Sequence, residues 1–147
     1  MKNNRTKAAV LGGTLAAGAA LALLSPAAPA LAYDFDGMYL HLAVQSPATL
    51  VARGVAIDLF IDVTCNSRYP AYLETVVNER VGSKIVSGNG YTRFECTGSL
   101  QRVAVRVVSS TSSPYARGIA IATSNLYGCM ESTCGQETDD ATIEITK

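Results

Sequence analysis

The stretch that decides the fold is GVAIDLFIDVTC, Gly54 to Cys65. Its odd positions, Val55, Ile57, Leu59, Ile61, Val63 and Cys65, are all apolar. Its even positions, Ala56, Asp58, Phe60, Asp62 and Thr64, are mostly polar. Successive side chains of a strand point to opposite faces, so this spacing predicts a strand with one face in a core and one toward water. A helix would spread the same apolar residues around its whole circumference. Phe60 interrupts the polar side and predicts partial cover there. Asp58 and Asp62 share that outer face, ~13 Å apart between Cα atoms at ~3.3 Å per residue. Glycosidase carboxylates stand ~5–9.5 Å apart, so these two acids read as a solvated strand face.

Shorter runs of the same period lie on both sides. Leu40, Leu42 and Val44 alternate in MYLHLAVQ, and Leu73, Thr75 and Val77 in AYLETVVNER. Phe94 and Cys96 alternate in YTRFEC, and Val103, Val105 and Val107 in LQRVAVRVVSS, with Arg102 and Arg106 opposite. Ile119 and Ile121 form the apolar set of GIAIATS, and Ile143 and Ile145 that of ATIEI. Between these runs stand SPATLVARG, NSRYP, SGNG and SSTSSP, whose Gly, Pro, Asn and Ser content predicts breaks. About seven short strands and no helical period predict an all-β fold: an immunoglobulin-like antiparallel β-sandwich. No Trp is present, and Phe94 stands where a tyrosine corner would place Tyr, so the expectation is of a sandwich of that size and type.

The N-terminal segment sets the context. Lys2, Arg5 and Lys7 precede an apolar run from Ala8 to Leu24, and SPAAPALA ends in Ala30-Leu31-Ala32. A basic start, an apolar middle and a small-residue end predict a signal peptide over residues 1–32, cleaved after Ala32. The run is shorter and weaker than a membrane span of ~20 strongly apolar residues, so no membrane insertion is expected after cleavage. Residues 33–147 then form a single domain, secreted to the extracellular medium. Loss of Lys2, Arg5 and Lys7 leaves nine basic residues against twelve acidic ones, a net charge of −3. That balance, with the basic residues scattered, argues against nucleic acid as a partner.

Four cysteines in an exported chain read as two disulfides. Of three pairings, Cys65–Cys96 with Cys129–Cys134 is favoured: the first pair ends two inward strand faces, and the second is separated by only MEST. The rival readings of LYGCMESTCGQETDD are weaker. A structural zinc site wants four Cys or His ligands, and a redox pair usually has two intervening residues. No metal and no cofactor is expected. DFDG at Asp34–Gly37 and ETDD at Glu137–Asp140 are oxygen clusters of a kind that binds calcium, but neither follows the EF-hand pattern.

Catalytic constellations are scarce. His41, the sole histidine, stands opposite Leu40 and Leu42 with no nucleophile-elbow motif in the chain. The sequence therefore argues against an enzyme. Tyrosine is the residue that argues for binding: Tyr69, Tyr72, Tyr91, Tyr115 and Tyr127 all stand near breaks, and Tyr joins apolar area to a polar tip. The stapled loop gives a candidate binding set of Tyr127, Met130 and Glu131.

The segments GVAIDLFIDVTC, ERVGSKIVSGNGYTRFEC and YARGIAIATSNLYGCMESTCGQETDDATIEI resemble those of small secreted actinobacterial proteins of unknown function. That resemblance covers most of residues 33–147. It implies a secreted Ig-like sandwich with a strand-end cysteine pair and a late cysteine loop, and it carries no catalytic residues. The four-residue spacing of Cys129 and Cys134 also resembles the late loop of the enediyne-antibiotic apoproteins, which implies a small-molecule carrier as an alternative. The expected function is a secreted, non-enzymatic binding or structural protein, its partner a protein or a small apolar ligand. A secreted protease inhibitor is a further alternative.

Overall fold

The computed structural model describes residues 38–66 and 68–147. The expected signal peptide, and the acids of DFDG, lie outside those residues. Eight strands follow one another: β1 (Leu40–Val44), β2 (Ala48–Val51), β3 (Ala56–Cys65), β4 (Pro70–Val81), β5 (Lys84–Glu95), β6 (Gln101–Ser109), β7 (Gly118–Met130) and β8 (Thr133–Thr146). Among the described residues the fold is all-β, with one short 3-10 turn at Ala52–Gly54. Disulfides join Cys65 to Cys96 and Cys129 to Cys134.

The alternation of β3 translates directly into burial. Ile57, Leu59, Ile61 and Val63 are wholly buried, while Phe60 is 45 % exposed. One edge of β3 pairs antiparallel with β6 from Ala56↔Val108 to Val63↔Gln101. Its other edge is shared, β2 covering Ala56–Asp58 and β1 covering Ile61–Cys65. Val55, expected to point inward, instead occupies a turn and is exposed. Gly54 before it takes φ 88°, and the chain enters the strand only at Ala56. A second sheet is built on β4, which lies between β5 and β7, with β8 beyond. Its inward residues Leu73, Thr75 and Val77 meet Leu126, Ser124 and Ala122 of β7 in register. The hydroxyls of Thr75 and Ser124 hydrogen-bond each other at 3.0 Å, which satisfies two polar groups inside the core.

The two sheets are not separate. Short seams join the two sheets, so hydrogen bonds run around a barrel of seven strands, β3-β2-β8-β7-β4-β5-β6. One seam is parallel, Ala48↔Ile145 and Thr49↔Thr146 between β2 and β8. The other joins β5 to β6 through Gly88↔Ser109 and Asn89↔Val108. SGNG, expected as a break, lies inside β5. A Cβ on Gly88 would stand 2.3 Å from the Val108 carbonyl oxygen, and one on Gly90 2.5 Å from that of Arg106. These glycines do not turn the chain; they let the β6 backbone lie against β5 and close the corner. The turn falls earlier, at Gly82–Ser83, where Val81↔Lys84 closes a two-residue hairpin and Gly82 supplies φ 61°.

A further correction concerns β7. Ile119 and Ile121 point outward, 63 % and 57 % exposed, and Ala120 and Ala122 are buried in their place. Side-chain parity is continuous along a strand, so Leu126 and Ser124 against β4 fix the facing of the whole element.

Tyr115, between β6 and β7, drops into the core instead of serving as a surface residue. It is 3 % exposed, and its Oη donates to the Val77 carbonyl oxygen at 3.1 Å. Burial, with the Glu79 carboxylate nearby, pushes its pKa up to about 12. The unfolded chain releases this proton near pH ~10. Between those values the folded state holds a proton that the unfolded state has lost, so stability falls as pH rises through that window. The contribution is intact below pH ~10. Urea midpoints followed by circular dichroism should therefore fall more steeply from pH 10 to 12 in the natural protein than in Tyr115→Phe. Parallel pH profiles for the two proteins would refute this assignment.

Candidate functional site

The inward parity of Leu73, Thr75 and Val77 sends Tyr72, Glu74 and Val76 to the outer face of β4. Pairing then sets their neighbours. Tyr72 stands between Arg93 of β5 and Tyr127 of β7, and Glu74 between Tyr91 and Asn125. On β8, Gln136 follows Tyr127 in the same row. Two adjacent cross-strand rows thus converge on an open trough of about 210 Å³ lined by Tyr72, Glu74, Tyr91, Asn125 and Tyr127. Residues that are scattered along the sequence are placed side by side by strand pairing.

The ring centroids of Tyr72 and Tyr91 lie 6.1 Å apart with planes inclined by 28°, a near-parallel stacked arrangement. The Arg93 guanidinium carbon stands 5.5 Å from the Tyr72 centroid, within cation–π range. Tyr91 and Tyr127 are 61 % and 50 % exposed. Leaving that much aromatic surface in water forgoes burial free energy of about 25 cal/mol per Å², which makes the cluster a candidate contact surface. Of its polar members Glu74 is exposed and Asn125 half-buried. Asn125 Oδ1 accepts from Thr138 Oγ1 at 2.7 Å and from Gln136 Nε2 at 3.5 Å, leaving the amide nitrogen to donate elsewhere. Glu74 forms no ion pair among the described residues.

The outer face of β3 and β6 is organised differently. Asp58 accepts two hydrogen bonds from Arg106, at 2.7 and 2.8 Å, and Asp62 two from Arg102, at 2.7 and 2.9 Å. These bidentate pairs hold both carboxyls below the usual aspartate range, the hydrogen bonds from arginine outweighing desolvation. Their charges are already matched within the face. They are a surface clasp flanking Phe60 and Ala104, not acids available for chemistry.

The sequence-derived binding set does not converge. LYGCMESTCGQETDD, expected as a stapled loop, is mostly strand. Cys129↔Cys134 and Met130↔Thr133 are cross-strand pairs, leaving Glu131 and Ser132 as the turn. Tyr127 therefore belongs to the tyrosine trough on the sheet face. Met130 lines a separate trough of about 460 Å³ at the barrel end, with Tyr39, Thr64, Asn66, Tyr69 and Gly98. Glu131 is exposed in the turn at φ 53°. The acids of ETDD lie along β8 and alternate between its faces. Asp139 accepts the Val44 N–H at 2.9 Å, and Asp140 accepts the Thr123 hydroxyl at 2.6 Å. Such a strand cannot wrap an ion as a loop does. Among the described residues no three His, Cys, Asp or Glu side chains are grouped to hold a metal. His41 is exposed on β1 opposite Thr64 and makes no hydrogen bond through its ring among the described residues.

Glu74, Asn125 and Arg93 escaped the sequence reading. Outward parity on β4 was available for Glu74, but nothing in one sequence says which strands flank it.

No family model matches the chain, and no curated protein does. Among solved structures it is similar to AggA, the major subunit of aggregative adherence fimbriae type I from Escherichia coli. The two share 12 % identity over 76 % of this chain and 95 % of that one, with a TM-score of 0.39.

Proposed function

We propose that this chain is a secreted, non-enzymatic binding domain of immunoglobulin-like type, and that it engages its partner with the tyrosine-lined outer face of β5, β4 and β7. The observation that carries this reading is the convergence of Tyr72, Tyr91 and Tyr127 around Glu74 and Asn125. Exposed tyrosines held rigid by a sheet offer contact area at low cost in side-chain entropy. The immunoglobulin-like description is supported by two main sheets, β1–β3–β6 and β5–β4–β7–β8, joined only by two-residue seams. Secretion is supported by the leader-like segment at residues 1–32 and by two disulfides. The carrier alternative requires an open cleft between the sheets. Against it stand Ile57, Leu59 and Ile61 of one sheet and Leu73, Val77 and Leu126 of the other, all wholly buried.

Binding of the secreted protein to washed cells that produce it tests the reading. The natural protein should co-sediment with them, and Tyr91→Ala/Tyr127→Ala should lose at least about tenfold in affinity, roughly two aromatic contacts. Both side chains are half or more exposed, so their loss leaves the core intact. Equal retention of natural protein and variant would exclude the tyrosine face as the contact surface.

A further inference from the structure

We infer that the tyrosine trough is a carbohydrate site, in which the flat face of a pyranose ring lies on the exposed ring of Tyr91 while Glu74 and Asn125 hold its hydroxyl groups. This rests on the reading of that face as the binding surface and names the ligand class it takes.

The dimensions of the face suit a sugar. Strands stand ~4.8 Å apart and same-face residues along a strand ~6.6 Å apart, so three strands and two rows span about 10 Å by 7 Å. That is the footprint of one or two sugar rings. The trough is open, and the Tyr72 and Tyr91 rings are near-parallel, inclined by 28°, so they do not enclose a ligand as a cage does. A ligand must therefore lie across it.

The chemistry of the two surfaces is complementary. The face of an aromatic ring is electron-rich. A pyranose whose hydroxyls are equatorial presents a face of C–H groups carrying partial positive charge, and around its rim a belt of hydroxyls. Each hydroxyl can donate and accept. The row that carries Tyr91 supplies both complements. The Glu74 carboxylate is an acceptor with no ion-pair partner among the described residues, and the Asn125 amide nitrogen is a donor left over from its bonds with β8. An exposed Tyr91 ring flanked by one free acceptor and one free donor matches a vicinal diol above a ring face.

Other occupants fit less well. A quaternary ammonium prefers aromatic rings that enclose it, and here the Arg93 guanidinium already stands 5.5 Å from the Tyr72 centroid. A peptide strand adding to a sheet needs a free backbone edge, but β4 and β7 are each paired on both sides. Only side chains are available on this face.

The test is a titration of isotope-labelled secreted protein by two-dimensional NMR. Probes are the β-1,4-linked tetrasaccharides of glucose, N-acetylglucosamine and mannose, and choline chloride. At least one sugar should shift the amides around Tyr72, Tyr91 and Asn125. Tyr91→Ala should weaken that sugar about tenfold, and Glu74→Gln and Asn125→Ala should each weaken it severalfold with unchanged spectra elsewhere. Failure of all three sugars at millimolar concentration, or stronger shifts of the same amides by choline, would overturn the inference. If the sugars fail while cell binding stays dependent on Tyr91 and Tyr127, the ligand class is wrong and the binding face stands. If sugars bind but the tyrosine variant still coats cells, the tyrosine face is not the surface that engages the cell.

Discussion

Gly88→Val is expected to leave almost no folded protein. The new Cβ would stand 2.3 Å from the Val108 carbonyl oxygen and 2.5 Å from Tyr115 Oη. The first of those atoms is backbone in a paired strand, and the second is the end of a ring buried in the core. Neither can give way without moving β6 or expelling Tyr115. Overpacking a core by ordinary methylenes costs about 1–3 kcal/mol. Here the clash also opens the seam of Gly88↔Ser109 and Asn89↔Val108 that joins the two sheets. Set against a typical domain stability of 5–15 kcal/mol, the combined loss is a large share. Secreted yield and urea midpoint are the measurements, with Asn89→Ala, an exposed neighbour, as the control expected to behave like the natural protein. A Gly88→Val protein with an unchanged midpoint would mean that β5 and β6 do not approach as described.

The two disulfides should differ in weight by about a factor of two. Replacing Cys65 and Cys96 by alanine opens a loop with a sequence separation of 31, worth about 4 kcal/mol on the chain-entropy model. Replacing Cys129 and Cys134 opens a separation of only 5, worth about 2 kcal/mol. Packing widens the gap, because Cys65 and Cys96 are 1 % and 3 % exposed whereas the hairpin pair is exposed. Denaturant midpoints of the two double variants decide the order. A larger loss at the hairpin pair would contradict it.

What the sequence made legible follows from which physical rule acts locally. The run from Ile57 to Cys65 announces its strand and its inward face because alternation is a property of neighbours along the chain. Val103, Val105 and Val107 do the same for β6. Ile119 and Ile121 mislead for a related reason: over four residues, Ala and Ile both satisfy an apolar pattern. Only the parity carried back from Leu126 says which of them is inside. SGNG misleads because glycine signals equally a turn or a close approach, and the decision rests with β6, which lies elsewhere in the sequence. The tyrosine site was half visible. The abundance of Tyr pointed to recognition, but placing Tyr72, Tyr91 and Tyr127 together needs the registers of β4 with β5 and β7. The late cysteine segment shows the opposite failure. Proximity in sequence made Tyr127, Met130 and Glu131 look like one site, whereas strand alternation and a two-residue turn send them to three different surroundings.

The parallel seam between β2 and β8 has a mechanical consequence. Ala48 pairs with Ile145 and Thr49 with Thr146, so the two strands run side by side in the same direction. Tension drawn from the residues before β2 and after β8 pulls them oppositely along their own axes. The bonds of that seam then bear the load together in shear, instead of parting one after another as in a peeled hairpin. Should the seam yield, the Cys65–Cys96 bond still encloses the residues between its two ends. At ~3.3–3.6 Å per extended residue it withholds on the order of 100 Å of chain from stretching, so β4 and β5, which lie wholly between Cys65 and Cys96, cannot be drawn out while the bridge is intact.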